Sequence, residues 1–82
     1  MTAEWADLDT AVAVFAQERR RLFGIAYRMT GSVADAEDVL QEAWIRWQHT
    51  DRSVVKEPGA LLTTVVTRLC INEMQSARAR RE

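Results

Sequence analysis

Hydrophobic residues recur along this chain at intervals of three and four, and two short polar stretches divide that rhythm into three segments. The clearest run is Ala36, Val39, Leu40, Ala43, Trp44 and Trp47, which fall on one face of a helix spanning about residues 32–48. Ser32, just after the breaker Gly31, reads as its N-cap, and Asp35 three places on reads as a capping-box acid. Upstream, Asp7 or Asp9 can cap a first helix over about 7–30. Its stripe is Leu8, Val12, Phe15, Leu22, Ala26 and Met29, with Arg19 the only interruption. Glu18 and the run Arg19–Arg20–Arg21 occupy the mid-helix surface, and Gly31 supplies a left-handed stop. The two helices should form an antiparallel or steeply crossed hairpin. Residues 1–6 read as a loose end, with Trp5 packing back or exposed.

Beyond Trp47 the periodicity fails. Residues 49–57 are polar and rich in turn formers, which predicts a loop containing His49. Pro58 suits the first position of a third helix, over about 58–78, and Glu57 before it suits the helix dipole. The stretch LLTTVVT is β-branched and by propensity favours a strand. Leu62, Val65, Val66 and Leu69 nevertheless keep the three-four spacing, and no partner strand is evident. Helix is therefore expected, fraying in SARARRE. The fold class is all-α, a compact bundle of three main helices in a single domain over residues 1–82.

Composition changes this picture little; charge changes it more. The apolar share of 48% is that of a globular chain. No run of about 18 apolar residues exists to span a membrane, and the N-terminus lacks the basic start of a secretory signal. One cysteine, Cys70, excludes an intrachain disulfide and fits a cytoplasmic setting. The net charge of −1 hides a segregation. Residues 1–18 and 35–42 each carry four acids and no base, whereas Arg46 to Arg81 holds seven bases against three acids. Two different partners, or simply a solvated surface, would fit that division.

Enzymatic chemistry finds no footing. A lone histidine rules out a histidine triad or histidine metal cluster, and three glycines form no phosphate loop. Asp35, Asp38 and Glu42 share a helix face, but carboxylates on one helix usually sit in water, so no metal and no cofactor is expected. Cys70 reads as a core or boundary residue. Acids near a helix N-terminus stabilise its dipole by about 0.3–1 kcal/mol each, which accounts for Asp35, Glu37 and Asp38. It does not account for Glu42, deeper in the helix beside Gln41, so a partner-binding face is the sharper reading. Trp44 reads as core. Trp47, closing the helix beside the loop, reads as core or as a stacking platform, where an aromatic is worth about 1–3 kcal/mol per base. Arg52, Lys56, Arg68, Arg78, Arg80 and Arg81 can follow a phosphate backbone, with Thr63, Thr64 and Thr67 as short polar contacts. Basic residues at a helix end also simply complement its dipole.

The sequence DAEDVLQEAWIRW resembles region 2.2 of bacterial sigma factors of the extracytoplasmic-function (ECF) type, in the sigma-70 family. The resemblance runs back through FAQERRRLFGIAYRMTGS and forward through EPGALLTTVVTRLCINEMQSARARR, covering about residues 15–81. It implies a σ2 domain that binds core RNA polymerase and recognises and melts the promoter −10 element, with no catalytic residue. In that family helix 2 docks on the clamp-helix coiled coil of the polymerase β′ subunit. Asp38, Gln41 and Glu42 match the contacting positions, with Asp35 on the same side. The loop and third helix resemble regions 2.3 and 2.4, which capture a flipped base and hold the non-template strand. Thr64 and Arg68 match strand-facing positions; Trp47, Arg52, Lys56 and Arg78, read above from their own chemistry, complete the candidate DNA set. An anti-sigma factor, or a C-terminal domain of the same protein, is a further implied partner.

Leu61 stands where the family pattern has Trp, Arg68 where it commonly has Asn, and Asn72 and Gln75 where it has charged residues; these bear on base preference. VVTRL is similar to a mycobacterial SigJ-type subgroup, which implies that the chain is a piece of a longer factor. The alternative is a helical adaptor that uses the acidic face without DNA, and salt-dependent nucleic-acid binding separates the two.

Overall fold

The computed structural model describes residues 7–81; Trp5 and the Arg81 side chain lie outside what is described. Helix α1 runs Leu8–Thr30, α2 Val33–His49 and α3 Pro58–Arg81, with a single 3-10 turn at Arg52–Val54 between the last two. No strand occurs among the described residues.

Each boundary has a local cause. Asp7, rather than Asp9, caps α1: its Oδ1 accepts from the Thr10 amide at 2.9 Å. Gly31 ends α1 at φ 72°, where its N–H donates to Tyr27 O at 2.8 Å. Ser32 Oγ then accepts from the Asp35 amide at 3.2 Å. The reciprocal capping-box bond from Asp35 is replaced, because the Ser32 N–H donates to Thr30 Oγ1 at 3.4 Å. His49 is the last residue of α2, one residue further than the expected end at 48.

In α3, Thr63 and Thr64 turn their hydroxyls onto Gly59 O and Ala60 O, at 2.8 and 3.1 Å. These i−4 bonds satisfy the threonines within the helix, so the β-branched stretch needs no partner strand. The helix runs on through Arg81, past the expected end at 78. None of residues 71–80 is buried, however, so this end extends past the core.

The core joins Ala11, Phe15, Leu22 and Ala26 of α1 with Ala36, Val39, Leu40, Ala43 and Trp47 of α2 and Leu62, Val66 and Cys70 of α3. Every helix packs on the other two. The Trp47 indole donates to Ala11 O at 3.0 Å, which places the end of α2 beside the start of α1 and makes that pair antiparallel. This bond also corrects the α1 stripe. Trp47 covers the chain at Ala11, where a small side chain leaves the carbonyl reachable, and Leu8 and Val12 turn outward, 54% and 47% exposed. Trp44, by contrast, packs at the core edge against Phe15, with ring centroids 5.3 Å apart. No described helix is long and apolar enough to cross a membrane.

Candidate functional site

Packing α2 against α1 on one side and α3 on the other leaves a narrow outer ridge, and the predicted acidic residues divide over it. Asp38, Gln41 and Glu42 are exposed. Asp38 and Gln41 border a depression of about 440 Å³ against α1, floored by Phe15, Leu40 and Trp44 and crossed by Arg19. Asp38 and Glu42 border a second one against α3, beside Leu69 and Asn72. The ridge therefore offers carboxylates bordered by apolar side chains toward α1 and by mostly polar ones toward α3. Arg46 meets Glu42 at 3.3 Å, an exposed pair that leaves the ridge accessible. Asp35 does not belong with these three. It is half-buried at the other end of α2, lining a depression with Met29, Glu73 and Arg78.

The predicted nucleic-acid residues also separate into groups. On α3, Thr64, Arg68, Ile71, Gln75 and Arg78 follow the helical repeat, and all five are exposed, forming one stripe that is polar and basic except at Ile71. Lys56 is exposed on the loop, as is Val54, 71% accessible. Thr64 reaches solvent, but its hydroxyl proton is given to Ala60 O, so it meets a ligand most readily as an acceptor.

Trp47 cannot serve as a stacking platform: it is 1% exposed and its indole N–H is used within the core. Its expected nucleic-acid role is withdrawn on that geometry. Arg52 is tied to the fold as well. Its Nη1 donates to Trp47 O at 2.8 Å and Gln48 O at 2.7 Å, and its guanidinium lies 5.9 Å from the Trp47 ring centroid. A cation closing the α2 C-terminus is the role this side chain fills, beside whatever it offers a phosphate.

Among the described residues no three His, Cys, Asp or Glu side chains gather closely enough to hold a metal ion. Cys70 is buried, and desolvation, followed by the nearby Glu73 carboxylate, raises its thiol pKa. Such a thiol is a packing group rather than a nucleophile.

Sequence periodicity missed one constellation. Arg21 reads as a member of a solvated basic run, yet it bridges α1 to the first turns of α3 through Thr63 Oγ1 and Gly59 O. The available signal was Glu18 three residues before it, a pairing distance on a helix.

Against known proteins, residues 14–80 match sigma-70 region 2. The chain belongs to the sigma-70 region 2 family. It is 52% identical over 71 residues to the ECF RNA polymerase sigma factor SigJ of Mycobacterium tuberculosis, covering 87% of this chain and 22% of that protein. It is 34% identical over 74 residues to the probable ECF sigma factor SigI, covering 90% of this chain and 26% of that one. Identity to the ECF sigma factor SigL is 38% over 71 residues, covering 83% and 40%. This region 2 chain thus spans between about a fifth and two-fifths of the curated relatives it matches. No solved structure matches it. Of the positions that depart from the region 2 pattern, Leu61 is half-buried against the core, so that change alters packing. Arg68, Asn72 and Gln75 face solvent, where a change leaves the core packing intact.

Proposed function

We propose that this region 2 chain attaches a sigma factor to core RNA polymerase in the cytoplasm and holds the melted −10 strand. Asp38, Gln41 and Glu42 meet the β′ clamp helices. The loop with Lys56 and the α3 stripe of Thr64, Arg68 and Arg78 face the non-template strand. What carries the reading is the placement of an acidic ridge on α2 and a basic stripe on α3 as two separate exposed surfaces of a family member. Asp35 joins the polymerase contact only at its edge, because its side chain faces the Arg78 end of the bundle. Strand separation follows from trapping unpaired bases, so affinity favours single over double strand.

The test is binding of the 82-residue chain to an isolated β′ clamp-helix fragment, beside the double variant Asp38→Arg/Glu42→Arg. Both positions are exposed, so the variant should keep its circular dichroism spectrum while losing binding. A folded variant that binds like the parent removes the ridge from the interface. For the strand, Lys56, Arg68 and Arg78 supply three outward bases. At about −0.7 per contact, log K against log salt should then fall with a slope near −2 on single-stranded DNA. A flat response would leave an adaptor that binds protein alone.

A further inference from the structure

We propose that Arg21 is a positioning residue for the nucleic-acid surface: it clasps the first turns of α3 to α1 and so fixes how the loop and the α3 stripe are presented. The inference rests on the strand-holding role proposed above for those elements.

Four contacts converge on one guanidinium. Nε donates to Glu18 Oε1 at 3.0 Å, and Nη2 pairs with the same oxygen. Nη1 donates to Thr63 Oγ1 at 2.9 Å, and Nη2 donates to Gly59 O at 3.2 Å. The Thr63 hydroxyl gives its own proton to Gly59 O at 2.8 Å, leaving its lone pairs for Arg21. Glu18 thus aims the guanidinium, and the planar fork reaches two adjacent acceptors from residues four apart on α3. Gly59 makes the approach possible. A Cβ there would lie 3.2 Å from Glu18 Oε1 and 3.6 Å from Arg21 Nη2.

The location gives the clasp its consequence. The first fully buried residue of α3 is Leu62, and in the turn before it, Pro58 to Leu61, only Leu61 packs against the core. That turn is where the Lys56 loop enters the helix. Thr64 follows Thr63 directly, and Arg68 lies one turn on. The pitch and rotation of α3 at its start are set by the clasp, and with them the direction of the strand-facing side chains. Arg21 itself is half-exposed and works through hydrogen bonds, so its loss should disturb pose far more than stability.

The variants Arg21→Lys and Glu18→Ala are compared with the parent and with Arg68→Ala. Each is titrated with a labelled AT-rich single-stranded oligonucleotide by fluorescence anisotropy, and with the β′ clamp-helix fragment. Lysine keeps the charge but cannot span the three acceptors, and Glu18→Ala removes a negative charge near the strand. Both clasp variants should bind the oligonucleotide about 5- to 10-fold more weakly, roughly 1–1.4 kcal/mol. Their affinity for the clamp fragment and their melting temperatures should stay at the parent values, and the amides of Leu62 and Thr63 should exchange faster. A charge-only role predicts the reverse: lysine restores binding and Glu18→Ala tightens it. Either result overturns the proposal. A parent that binds, with Arg68→Ala weakened and both clasp variants unchanged, overturns the proposal alone. A parent that does not bind the strand overturns the strand-holding reading and the proposal with it.

Discussion

Trp47→Phe separates the structural role of this tryptophan from the stacking role its position at the loop suggests. Trp47 is 1% exposed, and its indole N–H is bonded to Ala11 O at 3.0 Å, linking the end of α2 to the start of α1. Phenylalanine removes that bond, worth about 1 kcal/mol net. It also removes part of the buried ring surface, worth about another 1 kcal/mol. Ala11 O keeps its helical partner, so no further cost arises from an orphaned carbonyl. A loss of about 2 kcal/mol lowers the melting temperature of a domain this size by roughly 8–16 °C. Thermal and urea denaturation followed by circular dichroism measure it directly. At a temperature where the variant is folded, single-strand affinity should equal the parent's, because nothing on the exposed surface has changed. Trp47→Ala is harsher: about 3–5 kcal/mol, a large share of the total stability expected of a chain this long, so a substantial unfolded population should appear at 25 °C. Melting within a degree or two of the parent combined with weakened strand binding in Trp47→Phe would refute this reasoning and restore the stacking role.

Three further outcomes follow from the caps and the core. The Thr10 amide, foremost, holds the Asp7 carboxyl below its usual range, with Arg52 contributing. The cap is therefore at full strength above about pH 4 and weakens as pH falls through the lowered value; Asp7→Asn keeps a cap but should remove this acid-dependent step from the melting curve. Gly31→Ala places a Cβ at φ 72° with nothing within 4 Å, so its cost is backbone strain alone. Denaturation should show a loss of about 1–2 kcal/mol, with Gly31→Asn recovering part of it. Cys70, buried and with a raised thiol pKa, should react slowly with a thiol-specific disulfide reagent in the native chain at pH 8 and quickly in urea. Fast native labelling would mean that α3 opens readily at that turn.

The elements legible in the sequence are those set by neighbours along the chain. The α2 stripe, the Ser32 cap and the Gly31 stop are local matters of spacing and backbone conformation, and they stand as read. Leu8 and Val12 were misplaced because the register of α1 is decided by Trp47, thirty-odd residues away, and a long-range hydrogen bond leaves no periodic trace. The same limit hid Arg21, whose partners on α3 lie 38 and 42 residues downstream. LLTTVVT was ambiguous by propensity, and only the threonine bonds to the preceding turn show why helix tolerates it.

Charge is where the sequence and the structure differ most in what they imply. Counted along the chain, the C-terminal half holds an excess of bases and suggests a broad electrostatic grip. In the folded chain Arg46 lies against Glu42, Arg80 against Glu73, and Arg52 closes the end of α2. Among the described residues, the bases of this half outside an ion pair or a helix-end cap are then few: Lys56 on the loop and Arg68 and Arg78 on α3. In the strand-holding role proposed above, three charges spaced along a loop and one helix provide weak sequence-independent attraction, so discrimination between a melted strand and a duplex has to come from shape. Shape in turn depends on how rigidly the loop and the first turns of α3 are held. An Arg68→Lys change, which preserves charge, should therefore alter strand affinity less than loosening Arg21, although on that reading Arg68 faces the strand and Arg21 does not.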